Sequence, residues 1–166
     1  LGVLALKDMI AAHQAGEDMQ LDQRLITAYE HLLTDESLDK SMVALMLSLP
    51  SEAYMASIME KADVQAIHVA RMTARVEIAE QLQELLWDSY NANVLTVAYQ
   101  ADEQQIAARS LKNTALHYLM LLENEQVLNL CLTQYQQAQN MTDSMAALSA
   151  LVNSSFEQQK QNALAD

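Results

Sequence analysis

Proline occurs once in this 166-residue chain, at Pro50, and glycine twice, at Gly2 and Gly16. Tight hairpin turns draw on both residues, so a sheet protein built from many hairpins is excluded and helices are expected. Cysteine also occurs once, at Cys131. A single cysteine excludes an internal disulfide and any C-x-x-C metal or redox motif. A reducing compartment, the cytoplasm, is the expected location. Basic residues are scarce, 9 against 22 acidic ones, which gives a formal net charge of −13. Phosphate backbones and anionic membrane surfaces are bound through Lys/Arg clusters, so neither nucleic acid nor membrane is an expected partner. No uninterrupted apolar run reaches the length needed to cross a bilayer. The start, Leu1 to Ile10, is interrupted by Lys7 and Asp8, unlike a signal peptide.

What is present is apolar residues at helical spacing. They make up 51% of the chain, and a chain of this length buries roughly 70% of the surface its unfolded form exposes. One domain with a core that needs no staples is expected. The chain opens without a methionine and directly in helical periodicity, which predicts a segment of a longer polypeptide.

The first helix reads as Leu1 to Gln14 with Leu4, Met9 and Ile10 inward, stopped near Gly16 as a C-terminal cap. A second runs from about Leu21 to Leu33 with a stripe of Leu21, Leu25, Tyr29, Leu32 and Leu33. Asp35 or Ser37 is expected to cap a third, with Leu38, Met42, Leu45 and Met46 inward, ending before Pro50. Ser51 starts a short fourth helix to about Lys61.

From Asp63 the pattern Val64, Ile67, Met72, Val76, Ala79, Leu82, Leu86, Tyr90 runs without a breaker to about Asn91 or Asn93, predicting one long helix. Thr96 to Ala101 reads as a loop. Asp102 with Gln105 forms a capping-box-like start to a helix carrying Ile106, Leu111, Leu116 and Leu119. Glu125 to Gln136 is a further helix, and Met141 to Asn153 the next. The latter shows a stripe of Met141, Met145, Leu148, Leu151 and Val152 flanked by Ala146, Ala147, Ser149 and Ala150, with Thr142 or Asp143 as its cap. The tail begins another helix on Phe156, Ala163 and Leu164. The expected fold is all-α: about eight antiparallel helices stacked as a curved helical-repeat array of the HEAT/armadillo type.

Chemistry is sparse. His13, His31, His68 and His117 share no spacing that would place two imidazoles on one metal. H-E-x-x-H, G-x-S-x-G and a phosphate-cradling glycine loop do not occur. The pairs His13/Glu17 and His31/Asp35 read as surface contacts, and His68 and His117 as half-buried residues with backbone partners. Cys131, between leucines and without a nearby cation, reads as an inert buried thiol. The ten methionines and single aromatics read as core filling. Asn140-Met-Thr and Asn153-Ser-Ser match glycosylation acceptors by chance if the chain carries no secretory signal. No residue is assigned a catalytic, cofactor-binding or metal-binding role.

Three segments nevertheless form a recognisable set: Y-N-A-N at Tyr90 to Asn93, A-A-R-S-L-K-N-T-A-L-H-Y-L at Ala107 to Leu119, and A-Q-N-M-T-D-S-M-A-A-L-S-A-L at Ala138 to Leu151. L-L-T-D-E-S-L-D at Leu32 to Asp39 and L-M-L-S-L-P-S-E at Leu45 to Glu52 add to it. In order and spacing they resemble the C-terminal helical domain of bacterial aminopeptidase N. The resemblance implies a zinc metallopeptidase that removes N-terminal amino acids from peptides. That family holds zinc by H-E-x-x-H and a downstream glutamate and grips the substrate amine with a G-x-M-E-N strand. None of these occurs here, so the resemblance implies zinc in a catalytic domain outside this chain, with that domain and peptide substrates as partners. Its further implication is that residues 1–166 form the first half of a lid domain, inactive alone, that closes over a peptide chamber. Asn113 and Asn140 are expected to fix turns or to bond across helices. The alternative is a stand-alone helical-repeat adaptor that binds a partner helix or peptide.

Overall fold

The computed structural model describes residues 1–165, and these are all helix, turn or loop. Ten α-helices follow in order: α1 (Gly2–Ala15), α2 (Gln23–Thr34), α3 (Lys40–Met46), α4 (Glu52–Ser57), α5 (Val64–Gln81), α6 (Gln83–Ala92), α7 (Glu103–Leu119), α8 (Glu125–Gln137), α9 (Met141–Val152) and α10 (Glu157–Ala165). A 3₁₀ turn at Met120–Leu122 joins α7 to α8.

Local chemistry sets most of the helix starts. Asp22, Asp39, Ser51, Asp63, Asp102, Asn124 and Asn140 each accept a backbone N–H of the following first turn, satisfying donors a helix cannot satisfy itself. Gly16 stops α1 in the left-handed region, at φ 72°, where glycine bears no Cβ penalty. Gly2 has a different reason: a Cβ there would lie 3.2 Å from Pro50 Cδ, so α1 begins against the turn that Pro50 makes. The guanidinium of Arg71 fastens the same turn by donating from Nε to the Pro50 carbonyl at 2.9 Å.

The fourth helix ends at Ser57, short of the expected Lys61, and two other elements also differ from the sequence expectation. The third helix is capped by Asp39, whose Oδ1 accepts from Met42 N–H, whereas Asp35 and Ser37 bond each other in the preceding turn. The long helix expected from Asp63 is divided at Leu82, which leaves helical geometry at φ −108°, ψ 17°. No glycine or proline lies there. Ile78, Leu82, Leu86 and Tyr90 are all buried at steps of four. On a straight helix such a row swings about 40° per step, so the break keeps all four in one core.

The core runs through the chain as one cluster, with α7 at its centre. α7 packs on α3, α5, α6 and α9, while α1 lies on α5 and α8 on α9. Burial is carried by small residues more than the apolar spacing predicts. On α5 the buried positions include Ala66, Ala70, Ala74 and Ala79, with Val64 exposed. On α9 they are Asp143, Ala147, Ala150 and Leu151, while Met141 and Met145 face outward. Leu4, Ile106, Met42, Leu45 and Met46, all expected inward, are exposed. Alanine lets backbones approach closely, so the small-residue face goes inward and the bulkier residues are left outside. Trp87, Phe156 and Leu148 are partly buried against the core, and Ala163 anchors α10.

Candidate functional site

The richest polar arrangement lies where α6, α7, α8 and α9 meet. α9 starts at Asn140, whose Oδ1 accepts the Asp143 N–H at 2.9 Å while its Nδ2 donates to Asp143 Oδ2 at 3.0 Å. Asn140, rather than Thr142 or Asp143, is therefore the cap. The carboxylate of Asp143 is thereby aimed back at α7. There the ammonium of Lys112 lies 2.7 Å from Oδ2 and Asn113 Nδ2 donates to Oδ1 at 2.9 Å. Gln134 of α8 closes the circuit, donating from Nε2 to Asn113 Oδ1 at 2.9 Å and to the Asp143 carbonyl at 3.0 Å. Tyr90 of α6 donates to Gln134 Oε1 at 2.8 Å.

Burial alone would raise the Asp143 carboxyl, but hydrogen bonds from Lys112, Asn140 and Asn113, with the Lys112 charge, hold it below the usual carboxylate range. Burial pushes the Tyr90 phenol up to about 12, with the Asp143 charge adding to the effect. Asp143 is thus an ionised carboxylate with both oxygens engaged, and Tyr90 a fixed donor. Neither is poised as a general base. The role of this network is to lock four helices in register.

Beside it opens a cleft of about 500 Å³, walled by residues 94–99, by α7 and α8, and by the turn into α9. Gln105 and Arg109 hold the wall formed by that loop. Gln105 Nε2 donates to the Ala98 carbonyl at 3.0 Å, and its Oε1 accepts from Gln100 N–H at 2.9 Å. Arg109 donates from Nη1 to Gln105 Oε1 at 3.1 Å and from Nη2 to the Gln100 carbonyl at 3.3 Å. Its guanidinium also stacks over Tyr99, 4.9 Å from the ring centre.

The four histidines and Cys131 lie apart from this cleft. His68 is largely exposed and pairs with Glu52 Oε1 at 2.9 Å, joining α5 to α4, so the expectation of a half-buried residue with a backbone partner is corrected. His117 is half-buried, and burial, reinforced by the nearby Arg75 charge, lowers its pKa. Cys131 is fully buried with its thiol against the Ala147 carbonyl, and burial pushes it up to about 12. Asn113 bonds across helices and Asn140 fixes a helix start, as the sequence led us to expect. The partnership of Asp143, Lys112 and Gln134 was not legible, because the three come from different helices and only packing brings them together.

No group of three His, Cys, Asp or Glu side chains capable of holding a metal occurs among the described residues. The side chains of the described residues do not fit a zinc site. No helix among the described residues is long and apolar enough to cross a membrane.

The profile of the family described as "Domain of unknown function (DUF3458_C) ARM repeats" matches residues 2–166. The chain belongs to this family. The DUF3458_C chain is 35% identical to aminopeptidase N of Escherichia coli (strain K12) over 147 residues, 89% of this chain and 17% of that protein. Aminopeptidase N of Haemophilus influenzae is 31% identical over 144 residues, 87% of this chain and 16% of the relative. Aminopeptidase N of Caulobacter vibrioides is 29% identical over 152 residues, 91% and 18% respectively. A crystal structure of Legionella pneumophila aminopeptidase A in complex with aspartic acid superposes with a TM-score of 0.81 at 24% identity, covering 99% of this chain and 20% of that one. That likeness shows the fold. The DUF3458_C chain spans under a fifth of the length of the relatives it matches, and they are aminopeptidases.

Proposed function

We propose that this chain is a non-catalytic helical part of a cytoplasmic zinc aminopeptidase, an enzyme that removes N-terminal amino acids from peptides. It makes up the first half of a lid domain that shapes and closes the peptide-access chamber. The catalytic domain, and the zinc with it, belong to another part of the same polypeptide. The observation that carries this reading is the 35% identity to an aminopeptidase N over 89% of the chain. The geometry supports a scaffold: the buried Asp143 network ties four helices together and engages both carboxylate oxygens. A stand-alone adaptor gives no account of that identity.

The test is made on the polypeptide that natively carries this sequence. It is purified from its source with an antibody to this chain, sized, and assayed on aminoacyl-amide substrates with and without a chelator. A polypeptide several times larger than 18.5 kDa with chelator-sensitive activity is expected. A native species of 18.5 kDa without activity overturns the proposal and returns the adaptor reading.

A further inference from the structure

Arg109 is only 3% exposed, and no carboxylate lies within ion-pair distance of it among the described residues. Its two acceptors, Gln105 Oε1 and the Gln100 carbonyl, are neutral. A guanidinium carries five N–H donors in a rigid fork, so the fork retains unused donors as well as an uncompensated charge. A buried charge is costly unless paired. The cleft that Arg109 lines contains one other cation, Lys112, which Asp143 neutralises at 2.7 Å. Among the cleft's described lining residues no further Asp, Glu, Lys, Arg or His occurs. A chain of net charge −13 thus encloses a concavity whose own balance is positive by one.

We propose that this cleft is a binding site for the carboxylate of a peptide, with Arg109 as its anchor. The volume of about 500 Å³ lies within the range of small-ligand sites and accommodates a few residues of chain. The charge-assisted fork geometry suits a carboxylate better than any neutral group. Tyr99 supports the guanidinium from one face, and Thr133, whose hydroxyl proton goes to the Asn129 carbonyl, and Asn140, with one amide hydrogen on Asp143, line the rest of the cleft with an acceptor oxygen and a spare N–H for a peptide backbone. That the ligand is a peptide rests on the function proposed above; that it is a carboxylate rests on Arg109 alone.

The intact polypeptide is titrated with three probes whose blocked amino ends prevent turnover: acetyl-Ala-Ala-Ala with a free C-terminus, the same tripeptide as its amide, and acetyl-Ala-Glu-Ala amide. Hydrogen exchange across residues 94–109 reports occupancy. Protection by the free acid, with the neutral amide about tenfold or more weaker, is expected, and the glutamyl amide shows whether a side-chain carboxylate serves equally. Arg109→Lys, which keeps the charge and loses the fork, and Thr133→Val, which leaves the loop contacts intact and removes a polar lining group, should each weaken the acid. Equal protection by acid and neutral amide, or none by any probe, overturns the inference. Aminopeptidase activity is read separately, so a failed site and a failed peptidase assignment give different results.

Discussion

Lys112 and Asp143, thirty-one positions apart in sequence, form an ion pair of 2.7 Å whose side chains are about nine-tenths buried. Each is the other's ion-pair partner among the described residues. Asp143→Asn leaves a buried ammonium unpaired and should cost about 3–5 kcal/mol. Urea unfolding of the variant beside the parent measures it; a loss below about 1 kcal/mol would mean that water reaches Lys112 and the network is dispensable.

The same pair sets a pH dependence. The Asp143 carboxyl is held below its ordinary value of 3.8 in the folded state. A depressed carboxyl contributes stability that is fully present above the unfolded value and is lost as pH falls through the folded one. The stability gap between the parent and Asp143→Asn should therefore hold from neutral pH down to about pH 5 and narrow below pH 4. A gap that stays constant to pH 2 would contradict the assignment.

Asn140→Ala removes the α9 cap and the second amide contact to Asp143 together. A loss of about 1–3 kcal/mol is expected. An unchanged melting temperature would sink the idea that this asparagine holds the helix start.

The orientation of α9 is open to a paired test. Ala147 is fully buried and Met145 about half exposed. Ala147→Leu should overpack the α8–α9 contact and cost about 1–3 kcal/mol, while Met145→Gln should stay within about 0.5 kcal/mol. Reversal of the two effects would restore the methionine stripe as the inner face.

Helix starts and stops were legible in the sequence because they are local: Asp102, Ser51 and Asp63 begin helices and Gly16 ends one through contacts within a few residues. The identity of the buried face was less legible. Spacing finds apolar rows but does not say which of two rows faces a neighbour, and on α3 and α9 the row with larger side chains is the exposed one. The break at Leu82 carries no composition signal, since it follows from where the core lies. The polar network was half visible, in Asn113 and Asn140, and the cleft not at all.

The sequence by itself determined that this protein is helical and where most of its helices begin. Those properties depend on residue type and short-range hydrogen bonding. Tertiary structure alone decided that alanine faces go inward, that Lys112, Asn113, Gln134 and Asp143 share one buried circuit, and that Arg109 has no counterion among the described residues beside a cleft. Each of these is a relation between helices distant in sequence, set by how closely their backbones can approach and by which polar groups that approach takes out of water.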